Sequence, residues 1–391
     1  MLTSIALLWL LGMALGAAAR KLHLPALVGM LLAGILLGPF GADLLSPALL
    51  SVSADLRRLA LILILLRAGL SLDLGSLRRS GRSAVLLCFL PAACEVLGMV
   101  LLAPRLLGVS VLDAAILGAV VGAVSPAVIV PRMLDLMEAG YGTEQGIPQM
   151  VLAGASVDDV FVVVLFSSFT GMASGGRFSP AALAGVPVSI LLGAALGLGG
   201  LLDRFFARFP LRDSAKAILL LALSILLTAL EDRLGSRVPF SGLLAVLGTG
   251  LGLYRRQPAA AQRLAAKFGR LWVAAEILLF ALVGAQLNLE YAAASGRAAV
   301  LLVLGALCFR ALGVLLCMAG GPLNPKERLF AVLAYLPKAT VQAAIGGVPL
   351  AMGLSCGQVV LTVAVIAILL TAPLGAFAID VSYRRLLRRA G

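Results

Sequence analysis

Runs of apolar residues, each long enough to cross a lipid bilayer, recur along the whole chain and are separated by short polar connections. A hydrocarbon core about 30 Å thick requires about 20 apolar residues per helical span, and the sequence contains about 13 such runs. Because 61% of the residues are hydrophobic, only 13% are charged and the connections are short, no soluble domain is expected. The predicted spans are 2–19, 24–39, 56–73, 84–103, 111–131, 148–170, 183–202, 214–231, 240–254, 272–288, 298–319, 328–352 and 357–380. Residues 1–391 are therefore expected to form one all-α transmembrane unit.

Positive charge is distributed unevenly among the connections between these spans. Most of the 31 lysines and arginines follow odd-numbered spans. Cytoplasmic connections are enriched in lysine and arginine, so this bias predicts an inner-membrane protein with its N-terminus outside and its C-terminus in the cytoplasm. Orientation also accounts for the net charge of +13, and nucleic acid is not expected as a partner. The N-terminus is apolar from Leu2 onward and has no basic leader, which predicts a first span rather than a cleaved signal.

Cysteine and histidine give no indication of a resident cofactor. The five cysteines all lie within or at the edges of predicted spans, where cysteine behaves as a small buried hydrophobic residue. Their spacing matches neither a metal site nor a disulfide framework. With His23 as the single histidine, a histidine proton relay is excluded, and no cofactor is expected.

Two spans carry a proline at their centre. The span at 111–131 contains Ser125-Pro126, and the span at 328–352 contains Pro337-Lys338. Proline removes a backbone donor and clashes with the preceding turn, so each helix is expected to break there. The predicted orientation makes the two spans run in opposite directions, which indicates two inverted repeats whose broken helices cross at a site in the middle of the membrane. The span at 183–202 would link the repeats.

Two adjacent carboxylates, Asp158 and Asp159, lie near the middle of the span at 148–170. Ionised side chains at this depth are costly and mark functional sites by default, although an ion pair between helices is the structural alternative. Neighbouring side chains on a helix diverge by about 100°. The pair can therefore flank one small cation, or one member can bind the cation while the other pairs with a base. Protons and Na⁺ or Li⁺ would compete for the same oxygens.

Three further ionisable side chains are expected within spans. Glu95 and Arg310 each precede a broken helix, and burial of either alone would be costly, so we predict a structural ion pair between them. Lys338 lies at the second break. It could neutralise the carbonyl ends of the half-helices, pair with Asp158 or Asp159, or extend toward the membrane surface.

These residues lie in stretches that resemble the cation–proton antiporter superfamily, and most closely its NHA group of Na⁺(Li⁺)/H⁺ exchangers. The similarity extends over most of the chain. The matching stretches are LPALVGMLLAGIL (24–36), LLRAGLSLD (65–73), GAVSPAVIVPRML (122–134), GYGTEQGIPQ (140–149), GASVDDV (154–160) and YLPKATVQAAIG (335–346).

The resemblance implies a homodimer of the Na⁺/H⁺ antiporter fold. A dimerisation domain would comprise about 1–73 and 214–290. A mobile core domain, about 84–170 and 298–380, would carry ions by an elevator-like movement.

The resemblance also assigns roles to individual residues. It implies that Asp158 and Asp159 bind the ion, with Asp159 the position retained across the superfamily. Arg310 occupies the position where electrogenic relatives have a lysine, and Glu95 matches its partner. Arginine stays protonated where lysine can release a proton, so we expect electroneutral exchange unless Lys338 titrates.

The most consistent function is secondary active antiport of Na⁺ or Li⁺ against H⁺, with membrane lipid and the ions as partners. Two alternatives are a K⁺ efflux or channel-like system of the same fold and a Na⁺-coupled symporter of organic anions. An intramembrane aspartyl protease would need two aspartates on different helices, so no enzymatic activity is expected.

Overall fold

A computed structural model of the protein describes residues 1–71, 81–173, 208, 211–234 and 242–389. Within these ranges the regular structure is helical, with one isolated antiparallel bridge between Tyr141 and Arg389. Eight helical stretches of the described residues are long and apolar enough to cross a membrane. The all-α prediction is confirmed, and the predicted linker helix at 183–202 lies outside the described residues.

Most helices follow the predicted spans, but the predicted starts at 272 and 298 were wrong, because these two helices begin at Pro258 and Leu289. The N-terminal half contains α1 (Leu2–Lys21), α2 (Ala26–Leu37), α3 (Pro47–Ser51), α4 (Ser53–Ser71), α5 (Gly81–Leu87), α6 (Leu90–Leu107), α7 (Val111–Val121), α8 (Pro126–Glu138) and α9 (Ile147–Ala173). The C-terminal half contains α10 (Asp213–Leu234), α11 (Gly242–Arg256), α12 (Pro258–Ala285), α13 (Leu289–Cys317), α14 (Pro325–Ala334), α15 (Thr340–Ile345), α16 (Val348–Ala351) and α17 (Gly357–Leu386).

The chain divides into two compact units by its internal packing. One unit comprises Met1–Ala54, Leu74–Phe166 and Ile277–Gly391, and the other comprises Asp55–Asp73 and Ser167–Glu276. Every candidate site residue from the sequence belongs to the first unit. The predicted dimerisation and core domains concern assembly and movement, which this division does not test, so they stay a prediction.

Both proline-containing spans are broken where the sequence places the prolines. The first break separates α7, which ends at Val121, from α8, which begins at Pro126. Proline fits the first helical position because that residue's N–H would have no helical acceptor. The second break separates α14 from α15 and contains Pro337. Each break leaves backbone N–H and C=O groups that need partners within the protein, because lipid offers none.

A third interruption was not predicted. The span at 84–103 is divided between α5 and α6 at Cys88 and Phe89, and Pro91 lies in the first turn of α6. The apolar run continues through this point, so hydropathy alone gave no indication of the interruption.

Helices α6 and α13 approach each other closely through glycines. A Cβ added at Gly98 would lie 2.7 Å from the Phe309 ring, and a Cβ added at Gly313 would lie 2.8 Å from the Pro91 Cα atom. The same pair of helices carries Glu95 and Arg310, each within three residues of one of these glycines. Close backbone approach therefore brings the two charged side chains within reach of each other.

The loop that leads into α9 is held by the end of α17. The Gly142 N–H donates to the Arg388 carbonyl at 2.7 Å, and the Tyr141 and Tyr383 rings meet edge to face at 5.0 Å between centroids. Arg132 of α8 also forms two hydrogen bonds of 2.9 Å with the Asp380 carboxylate of α17. Helix α17 therefore anchors both the second half of the first broken helix and the entry to α9.

The contact at Gly313 can be tested by substitution on α13. We expect Gly313→Ala to lower the melting temperature in detergent, because its methyl group would meet the α6 backbone, and overpacking costs about 1–3 kcal/mol. Gly296→Ala is the matched control, since nothing lies within 4 Å of a Cβ built at that position of the same helix. It should leave the melting temperature unchanged or raise it, as alanine favours the helix by about 0.5–1 kcal/mol. Equal melting temperatures for the two variants would contradict the close approach.

Candidate ion site at the crossing of the broken helices

The two broken helices meet at their interruptions. The Ser125 N–H, at the start of α8, donates to the Pro337 carbonyl at 2.8 Å. The hydroxyl oxygens of Ser125 and Thr340 lie 3.4 Å apart, and all of these groups are buried. Each break therefore supplies hydrogen-bonding partners for the other.

Arg310, on α13, binds the carbonyl ends of both first half-helices. Its Nε donates to the Tyr335 carbonyl at 2.6 Å, and its Nη1 donates to the Gly122 carbonyl. Those carbonyls lie at the C-terminal ends of α14 and α7, which carry partial negative charge. The sequence allowed this role for Lys338, but in the structure Arg310 makes these contacts.

Two carboxylates and two cations form one buried network. Arg310 Nη1 lies 2.8 Å from Glu95 Oε2, and Arg310 Nη2 lies 3.0 Å from Asp158 Oδ2. Lys338 Nζ lies 2.5 Å from the same Glu95 oxygen. All four side chains are fully buried. The structure thus brings Glu95 and Arg310 together, but it pairs Lys338 with Glu95 rather than with Asp158 or Asp159, the partners considered from sequence.

Asp158 is held through one of its two oxygens. Oδ2 accepts the Val124 N–H at 2.8 Å as well as the Arg310 guanidinium, while Oδ1 is buried and no described residue forms a hydrogen bond with it. The Val124 N–H is one of the backbone donors released by the first break. The break therefore contributes directly to the position of this carboxylate.

Asp159 differs from its neighbour although the two are adjacent on α9. Its side chain is half-buried, its Oδ1 atom is enclosed without a partner, and no ion pair involves it among the described residues. The network of Glu95, Asp158, Arg310 and Lys338 has two carboxylates and two cations, so Asp159 adds a third carboxylate. The fully ionised site then carries one net negative charge. One monovalent cation or one proton would neutralise it.

Gln342 is part of this crossing and was not identified from the sequence. Its Nε2 atom donates to the Val121 carbonyl at 3.1 Å and to the Ala123 carbonyl at 2.9 Å. Thr371 of α17 is a second omission, since its hydroxyl accepts the Lys338 backbone N–H at 2.8 Å. Both are uncharged polar residues within apolar spans, a signal that was available but weaker than a buried charge.

Comparison with known proteins gives consistent matches over nearly the whole chain. The family described as sodium/hydrogen exchanger, transmembrane, matches residues 6–380. Sodium/hydrogen exchanger 9B2 of Homo sapiens is 37% identical over 387 residues, covering 94% of this chain and 70% of the human protein. Sodium/hydrogen exchanger 9B1 of Homo sapiens is 34% identical over 387 residues, covering 94% and 73%.

Among solved structures, the sodium proton antiporter MjNhaP1 from Methanocaldococcus jannaschii at pH 8 matches with a TM-score of 0.83. The match covers 98% of each chain at 21% sequence identity, so it establishes a shared fold. The family resemblance inferred from the sequence motifs is confirmed by these matches. The protein is a multi-pass membrane protein with the Na⁺/H⁺ antiporter fold, and it belongs to the sodium/hydrogen exchanger family.

Proposed function

We propose that this protein is a secondary active antiporter that exchanges Na⁺ or Li⁺ for H⁺ across the membrane. One observation carries the proposal: Asp159 adds an unpaired carboxylate to a buried network whose other charges are balanced. Its Oδ1 atom and that of Asp158 have no hydrogen-bonding partner in the part of the chain that the structure describes. Two oxygens on adjacent residues suit a small, hard monovalent cation, and the same oxygens accept a proton.

Competition for this site couples the two ions. With Asp159 ionised, the site carries one uncompensated negative charge. Moving that charge through a lipid-facing region would be costly. With either Na⁺ or H⁺ bound, the charge is neutralised and the site can reorient. Exchange then requires one ion to leave before the other binds, and no additional gate is needed to couple them.

Residues at the crossing support the site in this mechanism. Ser125 and Pro126 begin α8, and Pro337 opens the second break, which leaves N–H and carbonyl groups free to bind Asp158 and Arg310. Lys338 is proposed to hold Glu95, so that Arg310 has one carboxylate partner on each side. Glu95 and Arg310 would form a structural ion pair throughout the cycle.

Movement and assembly are further parts of the proposal. A core domain of about 84–170 and 298–380 would carry the site by an elevator-like displacement against a dimerisation domain of about 1–73 and 214–290. The protein would function as a homodimer in the inner membrane, with its N-terminus outside and its C-terminus in the cytoplasm. The uneven distribution of lysine and arginine supports this orientation.

The assignment of the ion site is tested by removing one carboxylate at a time. In proteoliposomes containing a pH-sensitive dye, Asp159→Asn should abolish proton flux driven by Na⁺ or Li⁺, because an amide cannot exchange a proton for a cation. Asp158→Asn should abolish or strongly reduce the flux. Asp135→Asn, at an exposed position of α8, is the matched control and should transport like the parent. Robust exchange by the Asp159→Asn protein would rule out this site.

The buried network predicts unequal costs of neutralisation. Glu95→Gln should lower stability in detergent by about 3–5 kcal/mol because Arg310 and Lys338 lose their shared partner. Arg310→Gln should be at least as costly, since Asp158 then lacks its counter-ion, Glu95 keeps only Lys338, and two backbone carbonyls lose a donor. The double variant should recover part of the loss, but not all of it, because Asp158 remains unpaired. If single and double variants melt like the parent, the residues are not coupled.

The charge balance of the site predicts electroneutral exchange of one Na⁺ for one H⁺. Arg310 retains its proton under essentially all conditions, and Lys338 is paired with Glu95. We expect the rate and the end-point of exchange in proteoliposomes to be independent of membrane potentials set with valinomycin and K⁺ gradients. A dependence on potential would show that a second proton moves. Loss of that dependence in Lys338→Gln, with exchange retained, would identify the lysine as its carrier.

A further inference from the structure

The Gln342 side chain is fully buried and contacts the first break from the opposite half of the crossing. Both neighbours of its amide, the carbonyls of Val121 and Ala123, are hydrogen-bond acceptors. The amide can satisfy both only through its NH₂ group, which fixes its orientation. Its oxygen, Oε1, is buried and has no partner among the described residues. None of these contacts takes part in the exchange cycle described above.

Three successive carbonyls of the first break are thereby occupied by side chains. Gln342 binds those of Val121 and Ala123, and Arg310 binds that of Gly122, which lies between them. The next backbone donor, the Val124 N–H, binds Asp158 Oδ2. An unwound stretch has no helical hydrogen bonds to set its dihedral angles, so these partners determine how its peptide planes are oriented.

The peptide between Ala123 and Val124 connects Gln342 to Asp158. In a trans peptide the C=O and the N–H point in opposite directions within one plane. Here the C=O accepts from Gln342 at 2.9 Å and the N–H donates to Asp158 at 2.8 Å. Rotation of the plane would break both bonds together. The two side chains therefore hold opposite edges of a single peptide group.

We propose that Gln342 is a positioning residue of the cation site, which holds the Ala123–Val124 peptide so that the Val124 N–H stays directed at Asp158. This inference rests on the proposed exchange function. It identifies the residue that keeps Oδ2 of Asp158 engaged and leaves Oδ1 available to the cation. Without the two donors from Gln342, the peptide can rotate, and the Asp158 carboxylate loses one of its two anchoring contacts.

The test replaces Gln342 with methionine, which is similar in length and volume but has no N–H donor. We expect the KM for Na⁺ to rise by roughly three- to tenfold, the loss that about one net hydrogen bond would cause. The maximal rate should change much less, because all titratable side chains of the site are retained. Gln358→Met is the matched control, since the Nε2 atom of Gln358 has no hydrogen-bond acceptor within the described ranges. It should leave both KM and the maximal rate unchanged.

A second variant distinguishes positioning from packing. Gln342→Asn retains the amide but shortens the side chain by one methylene, so it should raise KM as Gln342→Met does, and it replaces the methionine variant if that protein does not fold. A variant that lowers the maximal rate while KM stays unchanged would overturn the proposal, because that result indicates a structural role only.

Hydrogen–deuterium exchange keeps this inference separate from the transport assignment. In Gln342→Met, peptides covering residues 121–126 should exchange faster than in the parent, whereas Gln358→Met should not change them. This readout needs no transport activity. If the parent protein carried no Na⁺/H⁺ exchange, the proposed function would fail, while unchanged deuterium uptake at 121–126 in Gln342→Met would refute the role of Gln342.

Discussion

The guanidinium of Arg310 is the group on which the rest of the crossing depends. Its planar fork contacts Glu95, Asp158 and the carbonyls that end two half-helices, and it is completely enclosed by protein. Arginine suits this position because it presents five N–H donors in a fixed geometry and keeps its charge. A lysine would supply one point charge, which could not satisfy two backbone carbonyls and two carboxylates at once. Two helices can be interrupted inside a membrane here because the Arg310 side chain donates hydrogen bonds to carbonyls at the ends of both first halves.

The adjacent aspartates Asp158 and Asp159 have different contacts because their environments differ. Asp158 points toward the crossing, where Arg310 and the Val124 N–H bind one of its oxygens. Asp159, about 100° further around α9, is half-buried and has no cation beside it among the described residues. Asp158 is thus balanced by a cation of the protein, and Asp159 is not. The divergence of neighbouring side chains on a helix gives two adjacent carboxylates different surroundings.

Sequence patterns predicted the features that depend on single residues. Proline positions located both broken helices, and charges within apolar runs identified Asp158, Asp159, Glu95, Arg310 and Lys338. Partners between distant helices were harder to assign, because they depend on which faces pack together. The pairing of Lys338 with Glu95 depends on how the second break packs against α6, which hydropathy does not encode. Gln342 was missed because an uncharged amide in an apolar span does not require a counter-ion.

Helix α17 connects several of these features along its 30 residues. Thr371 accepts the Lys338 N–H at the second break, Asp380 binds Arg132 of α8, and Arg388, just beyond the helix, binds the loop before α9. These attachments lie on three different chain segments. Because one helix is joined to all three segments, it restrains their positions relative to one another. The second break, α8 and the entry to α9, which carries Asp158 and Asp159, are consequently all held by this one helix.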